Sequence, residues 1–293
     1  LMRLHYKPGA CSLASHIVLN ELNIPFELDK TDTDAGKTEA GEDFLKISPN
    51  GYVPALINDS GDIITESPAV LQYLADQMPD AGLAPPAGTL ERTRLQEMLN
   101  FISSELHKAF GPFFSGKDLD ADTKQDAADR VCKRIAHIER SLLDDRTYLL
   151  GDTFTVVDAL AFVVINWSNF FGISLEPFPK TKAYLARIAA RPSGVLETYF
   201  DGLYHADTER LAVAFHPKAI YATADETPLL YRTMDEYFQV VEKRVSPASR
   251  DEQRRDVINS IEFAGENTAF ARVCCSIGSR DFIDFLTLVR TNG

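Results

Sequence analysis

A run rich in proline and glycine, Pro79-Asp-Ala-Gly-Leu-Ala-Pro-Pro-Ala-Gly88, separates two incompatible hydrophobic patterns in this chain. Before it, short alternating segments interleave with helical ones. Residues 2–7 read as a strand, 12–22 as a helix and 26–29 as a second strand. A polar loop over 31–40 and a short helix near 43–47 follow, then the turn Ser48-Pro-Asn-Gly51. Strands at 53–57 and 63–65 flank a hairpin turn at Asn58–Asp62, and 67–77 reads as a helix stopped by Met78-Pro79. The order β-α-β-α-β-β-α predicts a small sheet with helices on its faces. After the run, residues 89–113, 123–143, 155–170 and 178–190 carry helical periodicity and the strand signals vanish.

The pattern changes again at Arg191-Pro-Ser-Gly194. Helical segments at 195–203, 207–215 and 234–244 and a strand at 219–223 lead into alternating runs at 257–263, 268–276 and 282–290. Helices followed by consecutive strands predict an α+β domain. Its last visible signal is Asn292-Gly293, a hairpin turn dipeptide, so the expectation is a domain short of its last strand with an unpaired sheet edge. The domains expected are therefore 1–80, 88–193 and 195–293, in keeping with 293 residues, too many for one ordinary core.

Bulk properties exclude several functions. A net charge of −13 argues against a general binder of nucleic-acid backbones, which needs clustered Lys and Arg. Met2 reads as the natural start, and no signal-peptide hydrophobic region or membrane-length apolar run follows. The expectation is a soluble cytoplasmic protein without membrane attachment. The four cysteines, Cys11, Cys132, Cys274 and Cys275, include no C-x-x-C pair, so neither a disulfide framework nor a zinc site is expected.

Three places could carry chemistry. Cys11 follows a strand and the Pro8-Gly9 turn and opens a helix, where backbone N–H groups favour a thiolate. The alternative is an inert small residue at a strand–helix junction. Cys11 has no resolving partner in Ser12-Leu-Ala14, which counts against dithiol chemistry. Val53-Pro54 leads into an apolar run; it is an ordinary turn, or a cis peptide that offers the Val53 backbone to a ligand. In Thr65-Glu-Ser-Pro68, Ser67 reads as an N-cap with Pro68 at the first helical position, and capping alone would explain the pair. The same helix start would suit a carboxylate, with Glu66 meeting an ammonium group.

The segments Leu4-His-Tyr-Lys-Pro-Gly-Ala-Cys-Ser-Leu-Ala-Ser-His16, Asn50-Gly-Tyr-Val-Pro-Ala-Leu56, Thr65-Glu-Ser-Pro-Ala-Val-Leu71, Leu99-Asn-Phe-Ile-Ser-Ser-Glu-Leu-His107 and Gly151-Asp-Thr-Phe-Thr-Val-Val-Asp158 run in order. Together with Tyr184-Leu-Ala-Arg-Ile-Ala-Ala-Arg-Pro192, they resemble beta-class bacterial glutathione S-transferases over about residues 2–193. The resemblance implies a thioredoxin-like glutathione-binding domain, an all-helical domain and a homodimer. It implies an enzyme that conjugates glutathione, as co-substrate and without a metal, to small apolar electrophiles, with a disulfide or peroxide reductase side activity through Cys11. Cys11 would approach the glutathione sulfur, and Val53 before a cis Pro54 would pair with its cysteinyl part. Glu66 and Ser67 would hold the γ-glutamyl end and Lys37 the glycyl carboxylate. His107 would sit across the cleft near Cys11; spacing alone reads it as an ordinary helix histidine. Tyr52 departs from the family, which often has Gln there, and would alter the cleft rim.

Two neighbouring features are read more plainly. Thr155-Val-Val-Asp158 is a capping box with a structural role. Trp167 and Phe170-Phe171 read as core, or as a wall of the substrate cleft. Residues 196–293, from Leu196-Glu-Thr-Tyr-Phe-Asp-Gly-Leu203 to Phe282-Ile-Asp-Phe-Leu-Thr-Leu288, resemble NTF2-like domains of the SnoaL and lumazine-binding branch. That implies a cystatin-like cone, a curved sheet around a cavity. His205, Asp207 and His216 are its polar candidates, with Asp207 read as a cap and His216-Pro217 as a helix end. A rival to the enzyme is a non-catalytic carrier that uses the transferase cleft and this cavity.

Overall fold

The fold was analysed in a computed structural model that describes all residues except 224, 226, 253, 254, 265, 266 and 291–293. The described chain divides into two compact units, residues 1–188 and 189–293.

The first unit begins with β1 (Met2–Tyr6), α1 (Ser12–Glu21), β2 (Phe26–Asp32), β3 (Lys37–Thr38), β4 (Ala55–Ile57), β5 (Ile63–Thr65) and α2 (Ser67–Gln77). The sheet order is β3-β2-β1-β4-β5; β1 runs parallel to β2 and antiparallel to β4. β1 is central and buried: Met2, Leu4 and His5 are all inaccessible. α1 is buried along most of its length, from Ser12 through Leu19, because it lies within the packed layers rather than on the surface. The expected loop over 31–40 is instead partly sheet: β2 runs on to Asp32 and returns as β3 through a turn that needs Gly36 at φ +67. Pattern reading missed it because polar edge strands carry no hydrophobic alternation. The helix expected near 43–47 is a single 3-10 turn, Phe44–Lys46, capped by Asp43.

Beyond the linker come α3 (Leu90–Phe101), α4 (His107–Ala109), α5 (Ala121–Ser141), α6 (Val156–Phe170) and α7 (Pro179–Ala189). α6 is buried on nearly every face, as its sequence, VVDALAFVVI, demands. Its capping box forms as expected. Asp158 accepts from the N–H groups of Thr155 (2.9 Å) and Leu149 (3.0 Å) and from the Tyr184 hydroxyl (2.6 Å), all buried. One apolar core runs from Met2 in the sheet to Ile188 in α7, which is why the sheet and the helices behave as a single unit. Arg92, nearly inaccessible, reinforces the join: it donates to both Asp76 carboxylate oxygens at the end of α2 and to the Pro85 carbonyl in the linker.

The second unit contains α8 (Pro192–His205), α9 (Thr208–Ala214), β6 (Ile220–Thr223), β7 (Leu230–Thr233), α10 (Met234–Glu242), β8 (Val257–Phe263), β9 (Thr268–Ile277) and β10 (Arg280–Val289). The last three form an antiparallel sheet in the order β10-β9-β8, and β6 and β7 form a hairpin. β7 was not foreseen, and neither was the capping box of Thr233 and Glu236 that starts α10. Asp207 caps α9 by accepting from Arg210 N–H. β10 pairs only with β9, leaving its outer edge free among the described residues. The Asn292-Gly293 turn signal lies outside them.

Candidate active site

The site grows from two chain turns that meet at Cys11. The first is the β1–α1 junction. Gly9, at φ +72, turns the chain, and Cys11 becomes the N-cap residue of α1. Its thiol is buried and donates to the Val53 carbonyl at 3.4 Å. The Val53–Pro54 peptide is cis. The Val53 N–H meets no acceptor among the described residues.

The second turn is the start of α2. Here the sequence reading needs correction: Glu66, not Ser67, is the N-cap, and Ser67 is already helical. Glu66 sits at φ 68, ψ 118, a conformation that costs a non-glycine residue about 1–3 kcal/mol. No side chain caps this helix. Ser67 therefore does not spend its hydroxyl on capping; the hydroxyl stands beside Cys11 and favours its thiolate. Its backbone N–H is likewise without an acceptor among the described residues. Plain capping does not explain Ser67-Pro68.

Burial dominates the electrostatics. It pushes the Cys11 thiol above its ordinary value, against the pull of the Ser67 hydroxyl and, more weakly, the Lys108 ammonium; the Glu66 carboxylate pushes the same way as burial. The helix-start stabilisation of a Cys11 thiolate expected from sequence is outweighed, and Cys11 is a neutral thiol.

His107 arrives from the helical layer. The single helix expected over 89–113 is broken: α3 widens into a π turn, Ile102–Leu106, before His107 opens the short α4. Such turns reorient side chains and recur at functional sites. His107 is half-buried and packs edge-on against Trp167, 4.9 Å between centroids. Trp167 Nε1–H donates to the Gly9 carbonyl at 2.8 Å. The route from His107 to Cys11 thus passes through Trp167 and the Gly9 turn; no hydrogen bond or ion pair joins the two. Desolvation, helped by the Lys108 charge, lowers the His107 pKa to about 4, so the imidazole is neutral at physiological pH.

Cys11, Val53, Pro54, Glu66 and Ser67 are brought together, and His107 is tied to them through Trp167. Lys37 is exposed on β3 and makes no contact with this group. Tyr52 is exposed at the turn before Val53. Beside His107 lies an aromatic cluster of Phe110, Phe113, Phe114, Trp167 and Phe171, with Phe114 half-exposed and Phe170 open to solvent. The sequence reading picked out Trp167 and Phe170-Phe171, as core or cleft wall, but not Phe110, Phe113 or Phe114. Lys108, whose charge reaches Cys11, was missed. It also lines a separate polar groove of about 410 Å³ with Glu105, Arg130 and Arg134, which includes none of Cys11, Val53 or Ser67. Among the described residues no cluster of three or more His, Cys, Asp or Glu could hold a metal, and no helix is long and apolar enough to cross a membrane.

Residues 9–77 match the family model for the glutathione S-transferase N-terminal domain and 101–192 that for its C-terminal domain. Glutathione S-transferase GstA of Escherichia coli O157:H7 is 39% identical over 191 residues, covering 65% of this chain and 94% of that protein. The chain belongs to the glutathione S-transferase family. A glutathione transferase crystal structure from Methylococcus capsulatus is 45% identical, with a TM-score of 0.66, and covers 69% of this chain and 100% of its own. A sphingomonad glutathione S-transferase solved with glutathione is 43% identical, with a TM-score of 0.64, over 69% and 99% of the two chains. Residues 190–293 match a family model described as lumazine-binding. The multidomain fold expected from the sequence, with thioredoxin-like, all-helical and NTF2-like parts, is the one found.

Proposed function

We propose that this chain conjugates glutathione to small, mostly apolar electrophiles, and that its site is of the beta-class type. The observation that carries the reading is the neighbourhood of Cys11: two unspent backbone donors, at Val53 and Ser67, beside a helix start that no side chain caps. The related sphingomonad enzyme was solved with glutathione bound. Here the Val53 backbone would pair with the cysteinyl part of glutathione, the Ser67 N–H and hydroxyl would hold the γ-glutamyl carboxylate, and Glu66 its ammonium group. Lys37 would reach the glycyl carboxylate from the sheet edge.

Neutrality of the protein groups sets the mechanism. A neutral Cys11 thiol can donate to the glutathione sulfur and so favour its thiolate. A neutral His107 can accept a hydrogen bond from the glutathione thiol, which an imidazolium cannot, while the proton itself leaves to solvent because a group with a pKa of about 4 does not hold it. Lys108 then supplies the positive charge. The thiolate attacks the electrophilic carbon, a C–S bond forms, and the halide or other leaving group departs with its electron pair. The aromatic wall from Phe110 to Phe171 would receive the apolar body of the acceptor. Reductase chemistry through Cys11 itself requires its thiolate, so that side activity should be slow at neutral pH and rise in alkali.

The three-domain division at 1–80, 88–193 and 195–293, a homodimeric state, a cytoplasmic location and the absence of nucleic-acid or membrane partners belong to the same proposal. It is tested by glutathione conjugation to chlorodinitrobenzene, with Ser67→Ala and Cys11→Ala variants alongside. The reading expects turnover that falls in the Ser67 variant. Glutathione binding with negligible conjugation across several electrophiles would defeat it.

A further inference from the structure

The second unit holds a cavity of about 200 Å³ whose chemistry the transferase reaction does not use. Three arginines line it: Arg232 on β7, Arg244 just after α10 and Arg280 at the start of β10. The chain carries 43 acidic residues against 30 basic ones, so partners are plentiful. Yet none of the three has an ion-pair partner among the described residues. Arg244 Nη1 is fully buried with no acceptor. A buried charged donor left unmatched costs about 1–3 kcal/mol or more, and such groups are normally satisfied.

The cavity's own carboxylate does not meet that need. Asp284 accepts from the Tyr199 hydroxyl at 2.5 Å and from the Cys275 thiol at 3.6 Å. Burial holds both of those donors protonated. Cation and carboxylate thus face one space without closing on each other. An aromatic wall lines the same cavity: Tyr221 stacks on Tyr237 at 4.9 Å and 18°. A volume below the usual 300–1,000 Å³ of drug-sized sites suits a single ring. The aromatic wall would be of no use to a bare phosphate, and the guanidinium fork matches a carboxylate.

We propose that this cavity binds a small aromatic carboxylate, its carboxylate held by Arg244 with Arg232, its ring against Tyr237, and a ring hydroxyl or amino group donating to Asp284.

The test is calorimetric titration of the full chain with benzoate, para-hydroxybenzoate and para-aminobenzoate, each beside its carboxamide, and with inorganic phosphate. The acids should bind roughly 10- to 100-fold more tightly than the amides. Arg244→Gln should erase that preference, Arg244→Lys should restore part of it, and Asp284→Asn should remove the advantage of the hydroxy acid over benzoate. Arg232→Gln, a milder change, should weaken the acids several-fold and keeps the test open should Arg244→Gln fail to fold. Binding should survive Cys11→Ser, which separates this cavity from the transferase cleft, and glutathione conjugation should be unchanged in Arg244→Gln. No acid binding, equal binding of acid and amide, phosphate binding as tight as the acids, or a folded Arg244→Gln that binds like the parent would each overturn the proposal.

Discussion

Two helix starts in the first unit make a useful contrast. At α6, every exposed need is met from within: Thr155 caps, and Asp158 gathers two N–H groups and the Tyr184 hydroxyl in a fully buried knot. At α2, a non-glycine residue is held at positive φ, no side chain caps, and the Ser67 hydroxyl is left beside Cys11. The first arrangement spends its hydrogen-bonding capacity on stability. The second withholds it and accepts backbone strain, as a site awaiting a charged ligand should.

The contrast predicts that the two starts respond oppositely to mutation. Asp158→Ala should cost about 3–5 kcal/mol, because several buried donors lose their acceptor at once; thermal melting would measure it, with activity per folded molecule little changed. Ser67→Ala should alter stability by less than about 1 kcal/mol yet weaken glutathione binding roughly 10- to 100-fold. Equal loss of stability in both variants would erase the distinction. Glu66→Gly should stabilise the fold by about 1 kcal/mol by relieving the positive φ, while glutathione affinity falls. The last effect concerns His107. Its folded pKa of about 4 lies below the ordinary 6.5. The unfolded chain therefore takes up the proton first, and the His107 contribution to stability is lost as pH falls from 6.5 towards 4. His107→Gln should flatten that part of the pH–stability curve, read by denaturant unfolding at several pH values.

Much of this was legible in the sequence, and the failures have physical causes. α2 and α6 were placed almost to the residue because caps, prolines and a 3.6-residue period agreed there. The Thr155/Asp158 box was read correctly because all its parts are local. Ser67 was misread as a cap because the same residues satisfy a capping pattern; only the backbone at Glu66 reveals that the helix starts one residue earlier. The π turn before His107 leaves no trace in apolar spacing, so a single helix was drawn through it. In the second unit, Asp207 caps α9 as its reading expects, and His216, just past the end of α9, accepts from the Lys218 N–H. Neither these two nor His205 lines the cavity. The signal that would have found the cavity was Asp284, a carboxylate on the inward phase of β10 with Phe282, Leu286 and Leu288.

The central claim is that the site keeps its own thiol and imidazole neutral, leaving the negative charge to an incoming thiolate. Alkylation of Cys11 by iodoacetamide in the ligand-free protein, followed across pH and resolved from the other three cysteines by peptide mass spectrometry, tests this directly. The account predicts a slow reaction at neutral pH that climbs steadily with pH and reaches its plateau only above the ordinary thiol value of 9.0. A rate already at its plateau near pH 7 would mean a Cys11 thiolate and would contradict it.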